Sequence, residues 1–411
     1  MVSDMIPRCV MWSGPEARQT PQRGCRPLLG PAAAAEEEQR ETALGACHAV
    51  TVTPAIRRRS NLVSKIAWLD RGRVGHPGLV PFVRVKPDDM TQVTAVASIE
   101  EAARQVDDPE AFAPIPELLA GQMRYGWDLD APEHYLYIPE VASDPVGLLV
   151  VDLPTRDNLH LVWASIVVHP DHRRRGHGSV IMNEALRIAR DAGRSTIWVG
   201  TAEDDQGARR FVERFGFAYA SHDARRRQVL AEVDQTAVQR LWAMAEAAAS
   251  DYSLERLQPP IPDNVLSELI EVTAAINDAP MGELTYEDER FDLQRLRDLE
   301  TAARGRGDRV YRVIARHRAT GVVGGHTVVL THPLQPEIGG QGDTAVARHH
   351  RGHRLGLLLK IDMMRWLAEV EPQLKIIETW NNVDNNFMIN VNEALGYRLS
   401  RIFNTYELKL A

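Results

Sequence analysis

Two short loops contain the residues whose types and spacing point most directly to chemistry. Glycines in such a loop let consecutive backbone N–H groups face one spot, and a following helix adds unpaired N–H groups and the positive end of its dipole. Arginines beside them suit phosphate, because the planar guanidinium matches phosphate oxygens. The pattern predicts an anion site suited to a pyrophosphate. The first loop reads Arg173-Arg174-Arg175-Gly176-His177-Gly178-Ser179, and the second reads Arg351-Gly352-His353-Arg354-Leu355-Gly356-Leu357.

Each loop is predicted to join a strand to a helix. A strand-like apolar run precedes the loop, a helix-like amphipathic run follows it, and a glycine–aromatic pair comes later. These segments are residues 161–168, 180–192 and Gly216-Phe217 in the first copy, and residues 343–348, 357–370 and Gly396-Tyr397 in the second. The loops are 178 residues apart and the glycine–aromatic pairs 180. Two landmarks that repeat at nearly one long interval indicate a duplicated domain rather than a solenoid, whose repeats run about 20 to 50 residues.

This order of elements resembles the GNAT N-acetyltransferase superfamily, whose members bind acetyl-coenzyme A through an Arg/Gln-x-x-Gly-x-Gly/Ala loop. The two-copy arrangement resembles the tandem-domain type, the mycothiol synthase-like actinobacterial proteins, over about residues 91–411. The resemblance implies an α/β (α+β) fold with two tandem GNAT-like domains. Each would have a mixed, mostly antiparallel central sheet flanked by helices, with a V-shaped splay between its fourth and fifth strands.

Proline content predicts the domain boundaries. Residues 1–89 hold nine of the 24 prolines and show no sustained periodicity. We expect a disordered or mis-started extension there, with Met90 as the first residue of the functional protein. Three prolines within residues 259–262 indicate a linker between an N-terminal domain, 90–258, and a C-terminal domain, 263–411. The run Arg225-Arg226-Arg227 is interpreted as a solvated strand end or turn.

The resemblance implies an N-acetyltransferase that moves an acetyl group from acetyl-coenzyme A to a primary amine of a small molecule or peptide. The amine would attack the thioester directly, with no metal. In the superfamily the backbone of the fourth strand holds the pantetheine arm and polarises the thioester carbonyl. The predicted cofactor contacts are therefore Val167, Val168 and Val346, both loops from Arg173 to Ser179 and from Arg351 to Leu357, and the amides of Asn381 and Asn385.

Neither half keeps the full set of residues that the superfamily uses. The position of the usual general-acid tyrosine is occupied by Val212 in the first half and by Asn392 in the second. Arg354 replaces the inner glycine of the second loop, which predicts a negative φ there. The second half is favoured as the active one because it retains Asn381 and Asn385. The candidate acid–base residues are Glu337, Asp343, Glu378 and Tyr406 in the second half and His160 in the first.

Other readings of the sequence remain. Each candidate carboxylate has a structural alternative: a solvated loop for Glu337, a strand end for Asp343 and a solvated sheet face for Glu378. The rival function is a non-catalytic acyl-coenzyme A sensor or scaffold with two degenerate domains. A P-loop and a dinucleotide fingerprint are excluded because neither loop has their glycine spacing.

The composition of the chain bears on its partners and on its cellular compartment. The net charge of -8 argues against a nucleic-acid partner, and no apolar run has the roughly 18 to 20 residues of a membrane-spanning helix. The three cysteines all lie before residue 50, which fits a reducing cytoplasm. We expect a cytoplasmic monomer or homodimer, and the histidines of the loops predict no metal site.

Overall fold

Residues 82–140 and 142–410 are described by the computed structural model of the protein. The elements of the first half come in the order that the sequence predicts, with one short strand added at the start. They are β1 (Phe82–Arg84), α1 (Met90–Asp107), α2 (Pro116–Tyr125), β2 (Glu133–Tyr137), β3 (Gly147–Asp152), β4 (Leu161–Val168), α3 (His177–Asp191), β5 (Thr196–Ala202), α4 (Gln206–Arg214), β6 (Ala218–Val229) and α5 (Gln235–Ala248).

The second half repeats this order. Its elements are β7 (Tyr252–Leu257), α6 (Asp263–Glu268), α7 (Ile270–Ala274), α8 (Leu293–Arg306), β8 (Arg309–His317), β9 (Val323–His332), β10 (Gln335–Val346), α9 (Leu355–Val370), β11 (Ile376–Asn382), α10 (Asn386–Ala394) and β12 (Tyr397–Lys409). Among the described residues, none of these helices is long and apolar enough to cross a membrane.

The described residues form one sheet of twelve strands in the order β1-β2-β3-β4-β5-β12-β6-β11-β10-β9-β8-β7. The last strand of each half is exchanged. Strand β12 pairs with β5 of the first half, and β6 pairs with β11 of the second, while β6 and β12 pair with each other at the centre. Residues 403–409 of β12 therefore border the first half in space, and residues 223–229 of β6 border the second.

The start of the fold lies before Met90. Residues 1–81 of the expected disordered extension lie outside the described residues, but residues 82–89 are part of the fold. Strand β1 pairs with β2, Val85 is buried, and the Asp89 side chain caps α1 by accepting from the N–H groups of Thr91 and Gln92. Because this segment contributes pairing, burial and a helix cap, the extension cannot run to residue 89.

The boundary between the halves also differs from the expected one. Strand β7 pairs with β8, and α5 packs with α9 through a shared apolar cluster that includes Val238 and Ala245. Because β7 and α5 pair and pack with elements of the second half, this half begins near Gln235 and not after the proline segment 259–262. The proline segment connects β7 to α6 within the second half.

The V-shaped splay is present in both halves. Strands β4 and β5 pair in parallel from Leu161 to Ala164, after which β4 continues to Val168 without that partner. Strands β10 and β11 pair in parallel from Ile338 to Gly340, after which β10 continues to Val346. Each splay opens toward one of the two glycine loops, which confirms the predicted fold.

Helices cover both faces of the sheet. In the second half, neighbouring residues of β8 show this alternation: Val313 packs into the cluster of α9, and Ile314 into the cluster of α6 and α8. In the first half, Ile181 and Ala185 of the loop helix α3 pack with Val212 of α4 in one apolar cluster. The apolar stripes predicted for the loop helices therefore form the cores beneath the splays.

Candidate active site

The two loops have the same backbone conformation although their sequences differ. Arg174 and Gly176 of the first loop have φ of 62° and 88°, and the equivalent Gly352 and Arg354 of the second have 87° and 57°. Each loop thus has two left-handed positions and one glycine to fill them. The prediction of a negative φ at Arg354 is wrong. An arginine in this region costs about 1 kcal/mol, which the rest of the loop has to offset.

The loops present a row of unpartnered backbone donors. Within the described part of the chain, none of the N–H groups of residues 174–178 or 352–356 donates a hydrogen bond. The helices that follow, α3 and α9, begin at His177 and Leu355, so their positive ends face the same spots. This arrangement fits a pyrophosphate, whose oxygens accept several N–H bonds at once.

Arg173 and Arg351 hold the loops in place. The Nε of Arg173 donates to the Val168 carbonyl (3.0 Å), and its terminal nitrogens donate to the Asp107 carboxylate (2.6 and 2.5 Å). Arg351 repeats this with the Val346 carbonyl (3.1 Å) and with Asp278. Both guanidinium groups therefore brace the loop against the end of a helical segment. Exposed loop arginines remain to face outer phosphates: Arg174, Arg175 and Arg354.

In each half, one histidine within the loop or directly before it contacts a tyrosine of the sheet. His177 Nδ1 lies 3.2 Å from the hydroxyl of Tyr137, and His350 Nδ1 lies 2.8 Å from that of Tyr252. Burial lowers the pKa of both imidazoles, which favours their neutral form. His353 of the second loop packs its ring 5.6 Å from Tyr252. Among the described residues, no group of three or more potential ligands could hold a metal ion.

The predicted amides of the second half meet at its splay. Asn381 on β11 accepts a hydrogen bond from Asn392 of α10 (2.7 Å), and Asn385 caps α10 by accepting from the Met388 N–H (3.2 Å). All three asparagines are buried. The Nδ2 of Asn385 and the Oδ1 of Asn392 have no hydrogen-bond partner within the described residues. Such orphaned atoms fit the amide and hydroxyl groups of a pantetheine arm.

Comparison with known proteins matches residues 97–217 to the acetyltransferase (GNAT) family. These residues of the first half match a GNAT acetyltransferase domain. The chain is 32% identical over 144 residues to a mycothiol acetyltransferase of Saccharomonospora viridis. It is 31% identical over 99 residues to an uncharacterized N-acetyltransferase of Methanocaldococcus jannaschii. These matches cover 34% and 23% of this chain, and the chain spans 42% and 43% of the length of the two relatives.

Solved structures extend the similarity to both halves. A tandem GNAT protein from the clavulanic acid biosynthesis pathway is similar over 80% of this chain and 98% of its own, with a TM-score of 0.66 and 26% identity. A GCN5-related N-acetyltransferase from Sphaerobacter thermophilus is similar over 80% of this chain and 96% of its own, with a TM-score of 0.58. That second likeness, at 14% identity, is one of fold alone. The chain has the tandem GNAT fold that its repeated landmarks predict.

The strand exchange moves Tyr406 into the first GNAT domain. Tyr406 on β12 pairs with Val199, which in turn pairs with Ala164, the last residue before β4 leaves β5. The ring is 2% exposed and belongs to the same buried cluster as Val212 of α4. Sequence reasoning assigned Tyr406 to the second half, because only the tertiary structure reveals which strand it neighbours.

Arg226 is the counterpart of Tyr406 in the second GNAT-like domain. It lies on β6, pairs with Thr379 of β11, and is 6% exposed. Its Nε and one terminal nitrogen have no hydrogen-bond partner within the described residues, and burial lowers its pKa. The interpretation of residues 225–227 as a solvated turn is wrong. Sequence reasoning had no signal for this, because three consecutive arginines are typical of exposed segments.

The predicted carboxylate bases do not come together. Glu337 forms an exposed ion pair with Lys375 at the opposite end of β10 from the loop. Glu378 is buried and accepts from Nε of Arg227 (2.7 Å), so its charge is already neutralised. Asp343 lies in an irregular stretch of β10 near Arg312. His160, before the start of β4, contacts the Thr285 carbonyl (3.2 Å).

Asp223 is a titratable residue that sequence reasoning missed. It lies on β6 and pairs with Asn382, the last residue of β11, on one side and with Phe403 of β12 on the other. Phe403 in turn pairs with Ala202, the last residue of β5. Its Oδ1 is buried without a hydrogen-bond partner in the described structure, and burial raises its pKa to about 7. A carboxylate with this pKa can take up a proton near neutral pH.

Each half is covered by a segment of the other. Residues 111–115 of the first half line a cleft together with Glu378 and Trp380 of β11. In the opposite direction, Glu283 donates its N–H to the Ala220 carbonyl (2.9 Å), and Thr285 donates its N–H to Glu407 (3.1 Å) of the exchanged strand. An acceptor molecule that approaches either splay from this side would therefore meet residues of both halves.

Proposed function

We propose that the protein is an acyltransferase that moves an acetyl group from acetyl-coenzyme A to a primary amine of a small molecule or peptide. One observation carries this proposal. In both halves, a row of N–H groups without a partner among the described residues lies at the start of a helix, directly after a strand that has left its parallel neighbour. The N–H groups suit a pyrophosphate, and the gap between the strands suits an extended pantetheine arm.

The groups proposed to bind coenzyme A lie in the two loops and beside the two splays. Backbone groups of Val167 and Val168, with the loop from Arg174 to Ser179, would bind coenzyme A in the first half. In the second half, Val346, the loop from Gly352 to Leu357 and the orphaned amides of Asn385 and Asn392 would bind it. Arg173 and Arg351 would act indirectly, by fixing the loop backbone.

We propose acetyl transfer in the first half, although the sequence favours the second. Transfer needs a proton for the departing thiolate. Tyr406 supports this role because a phenol can donate a proton, and because it pairs with the strand that borders the first splay. The equivalent residue of the second half is Arg226, whose guanidinium stays protonated through catalysis. An acid at this point is expected to contribute about 10²–10⁴-fold.

Asp223 is the proposed acceptor for the proton of the amine, because it lies beside Phe403 of the exchanged strand β12, which pairs with Ala202 of β5. The attacking nitrogen must be neutral, and an α-amine, with an ordinary pKa near 8, needs little help to lose its proton. Burial raises the pKa of Asp223 to about 7, and its Oδ1 has no hydrogen-bond partner in the described part of the chain. The oxyanion that forms on the thioester would be stabilised by a backbone N–H of residues 166–168, which is commonly a large term in acyl transfer.

Two matched variants and one assay test the function. Gly178→Glu and Gly356→Glu would each put a carboxylate beside one pyrophosphate site. A side chain added at Gly178 meets the Phe211 ring at 3.5 Å, and one added at Gly356 meets Thr344 at 3.9 Å, so both are ordinary contacts. Release of coenzyme A would be followed by thiol titration over a panel of amines, antibiotics, amino acids and peptides.

The expected result is that Gly178→Glu abolishes turnover while Gly356→Glu retains it. Loss of turnover in Gly356→Glu alone would assign acetyl transfer to the second half. Tight binding of acetyl-coenzyme A with no turnover on any amine would instead support a non-catalytic acyl-coenzyme A sensor or scaffold. Circular dichroism spectra of both variants would verify that they are folded.

A further inference from the structure

Lys360 is a buried lysine that the proposed reaction does not use. It lies on α9 and is 2% exposed. Its Nζ donates to Oε1 of Gln341 (2.8 Å) and lies 4.8 Å from the centre of the Tyr397 ring. Burial lowers the pKa of this amine to about 7. A lysine in this position therefore carries a charge that the surrounding protein stabilises poorly.

The strand order defines where the amine lies. Gln341 is the first residue of β10 beyond Gly340, the last residue that pairs with β11. Tyr397 is on β12, which lies on the other side of β11 from β10, with β6 between β11 and β12. Since Nζ touches groups from both sides, it lies over β11, at the point where β10 and β11 separate. The amine is thus at the closed end of the second splay.

The first half has an apolar residue at this point. The equivalent of Lys360, 178 residues earlier, is Met182 of α3, which is fully buried in the core. The equivalent buried position of the two loop helices is therefore a methionine in the first half and a lysine in the second. Buried charges in proteins are normally paired, because removing an ion from water costs several kcal/mol. Within the described residues, no carboxylate forms an ion pair with Lys360.

The other ionisable groups around Lys360 do not supply the missing charge. Burial raises the pKa of Tyr397, which keeps this phenol neutral near pH 7. Gln228 of β6 contacts Met364 of α9, so Arg226, two residues earlier, faces the same helical layer. Arg226 is itself a cation, and it interacts with Glu393 of α10. The carboxylate of Glu393 is thus associated with Arg226, and Lys360 has no counter-charge of its own within the described residues.

We propose that the second half binds an acyl-coenzyme A whose acyl group ends in a carboxylate, of the malonyl or succinyl class, and that Lys360 pairs with this carboxylate. The inference rests on the proposed binding of coenzyme A in the second splay and adds the class of acyl group. A thioester held in the splay would direct its acyl chain to the closed end, where Lys360 lies. The carboxylate would provide the counter-charge that the protein lacks, whereas an acetyl group would leave the ammonium unpaired.

Titration calorimetry on the full chain tests this inference. The Gly178→Glu background removes the first pyrophosphate site, so that the heat reports on the second half. Succinyl-, malonyl- and acetyl-coenzyme A and free coenzyme A would each be titrated into this variant. We expect one of the two carboxylated thioesters to bind at least about tenfold more tightly than acetyl-coenzyme A, as one additional charge-assisted contact would give.

Two lysine variants identify the residue responsible. Lys360→Met reproduces the residue of the first half and should abolish the preference for the carboxylated thioester while leaving acetyl-coenzyme A binding in place. Lys375→Met removes an exposed lysine of the same half and should preserve the preference. A thermal melt would verify that Lys360→Met is folded, which the core position of Met182 leads us to expect.

Proton uptake provides a second measurement. Pairing with a carboxylate raises the pKa of an amine, so binding above pH 7 should protonate Lys360. Titrations in two buffers of different ionisation enthalpy should give an uptake close to zero at pH 6, where Lys360 is already charged. At pH 8 the uptake should approach about one proton per chain, since the free amine is then mostly neutral.

The outcomes separate this inference from the proposed function. Binding of all thioesters with equal affinity, or a preference that survives in Lys360→Met, would overturn the role of Lys360 and leave the coenzyme A site intact. Uptake that does not differ between pH 6 and pH 8 would also overturn it. If free coenzyme A fails to bind to the Gly178→Glu chain, the second coenzyme A site and the inference both fail.

Discussion

Arg173 and Arg351 illustrate how a residue chosen for its chemistry can have a structural role. Both arginines lie in loops that suit phosphate, and a guanidinium matches phosphate oxygens well. Each instead donates Nε to the carbonyl of the residue five positions earlier and pairs with an aspartate at the end of a helical segment. These two contacts hold the loop in place, and we therefore propose that backbone N–H groups and neighbouring exposed arginines bind the phosphates instead.

A pair of alanine variants separates these two roles. Arg173→Ala should lower the free energy of unfolding by about 1 kcal/mol, because it removes a partly exposed paired guanidinium and its bond to Val168. It should also raise the KM for acetyl-coenzyme A. Arg174→Ala should raise the KM without a change in melting temperature, since Arg174 is exposed. Denaturant unfolding and initial-rate kinetics measure both effects. Equal stability of the two variants would contradict the bracing role of Arg173.

Tyr406 gives a second prediction at this scale. Tyr406→Phe removes only the hydroxyl and should lower kcat for acetyl transfer at least about tenfold with little change in the KM for acetyl-coenzyme A. Tyr219, which packs its ring against Tyr406 at 6.1 Å and is half exposed, provides the matched control. Tyr219→Phe should leave kcat within about twofold of the unchanged chain. Equal kcat values for the two variants would remove Tyr406 from the mechanism.

At the scale of elements, the short strand β1 matters more than its three residues suggest. Phe82 packs against the Tyr137 ring at 5.3 Å, the Val85 N–H donates to the His134 carbonyl (2.8 Å), and Asp89 caps α1. The residues that make these contacts lie between two segments of different sequence character. The segment before them is rich in proline, and the segment after them has clear helical periodicity. A strand of three residues is too short to show an alternation of its own.

Truncation tests the contribution of β1. A chain that begins at Met90 loses the strand, the buried Val85 and the Asp89 cap, which together should cost about 2–4 kcal/mol. A chain that begins at Phe82 retains all three and is the control. Calorimetry of both should show a lower melting temperature for the shorter one. Equal melting temperatures would restore the expectation, drawn from the sequence, that the functional protein begins at Met90.

At the scale of the whole molecule, the exchanged strands make the two halves interdependent. Strand β12 completes the sheet of the first half, and β6 completes that of the second. Buried ion pairs reinforce the connection. Arg225 of β6 donates to Asp108 (2.7 and 3.0 Å), and Arg295 of α8 donates to Asp128 (3.1 Å) of the first half. The two repeated halves therefore form one continuous sheet.

Division of the chain tests this interdependence. Residues 82–234 and 235–410 would be produced alone and together. Each half alone lacks the strand that lies between its fifth and sixth strands, so we expect it to be insoluble or to lack a cooperative melting transition. Produced together, the halves should co-purify in equal amounts and melt in one transition. A separate first half that melts cooperatively and binds coenzyme A would contradict this expectation.

The sequence by itself determined the features that depend on local order. The spacing of the two glycine loops and of the glycine–aromatic pairs predicted the duplication, and the alternation of strand, loop and helix predicted the GNAT fold and its splays. The two loops that we propose to bind coenzyme A were therefore located by residue number. These signals are local, because a loop that ends a strand and starts a helix is read within about 30 residues.

Only the tertiary structure decided which strands are neighbours. A two-residue alternation shows which face of a strand is buried but not which strand lies beside it, because pairing is set by contacts far apart in sequence. For this reason the sequence assigned Tyr406 to the second half, interpreted Arg226 as solvated and did not identify Asp223. The same limitation applies to Lys360, which could be identified as part of a helix but not as a buried cation at the closed end of a splay.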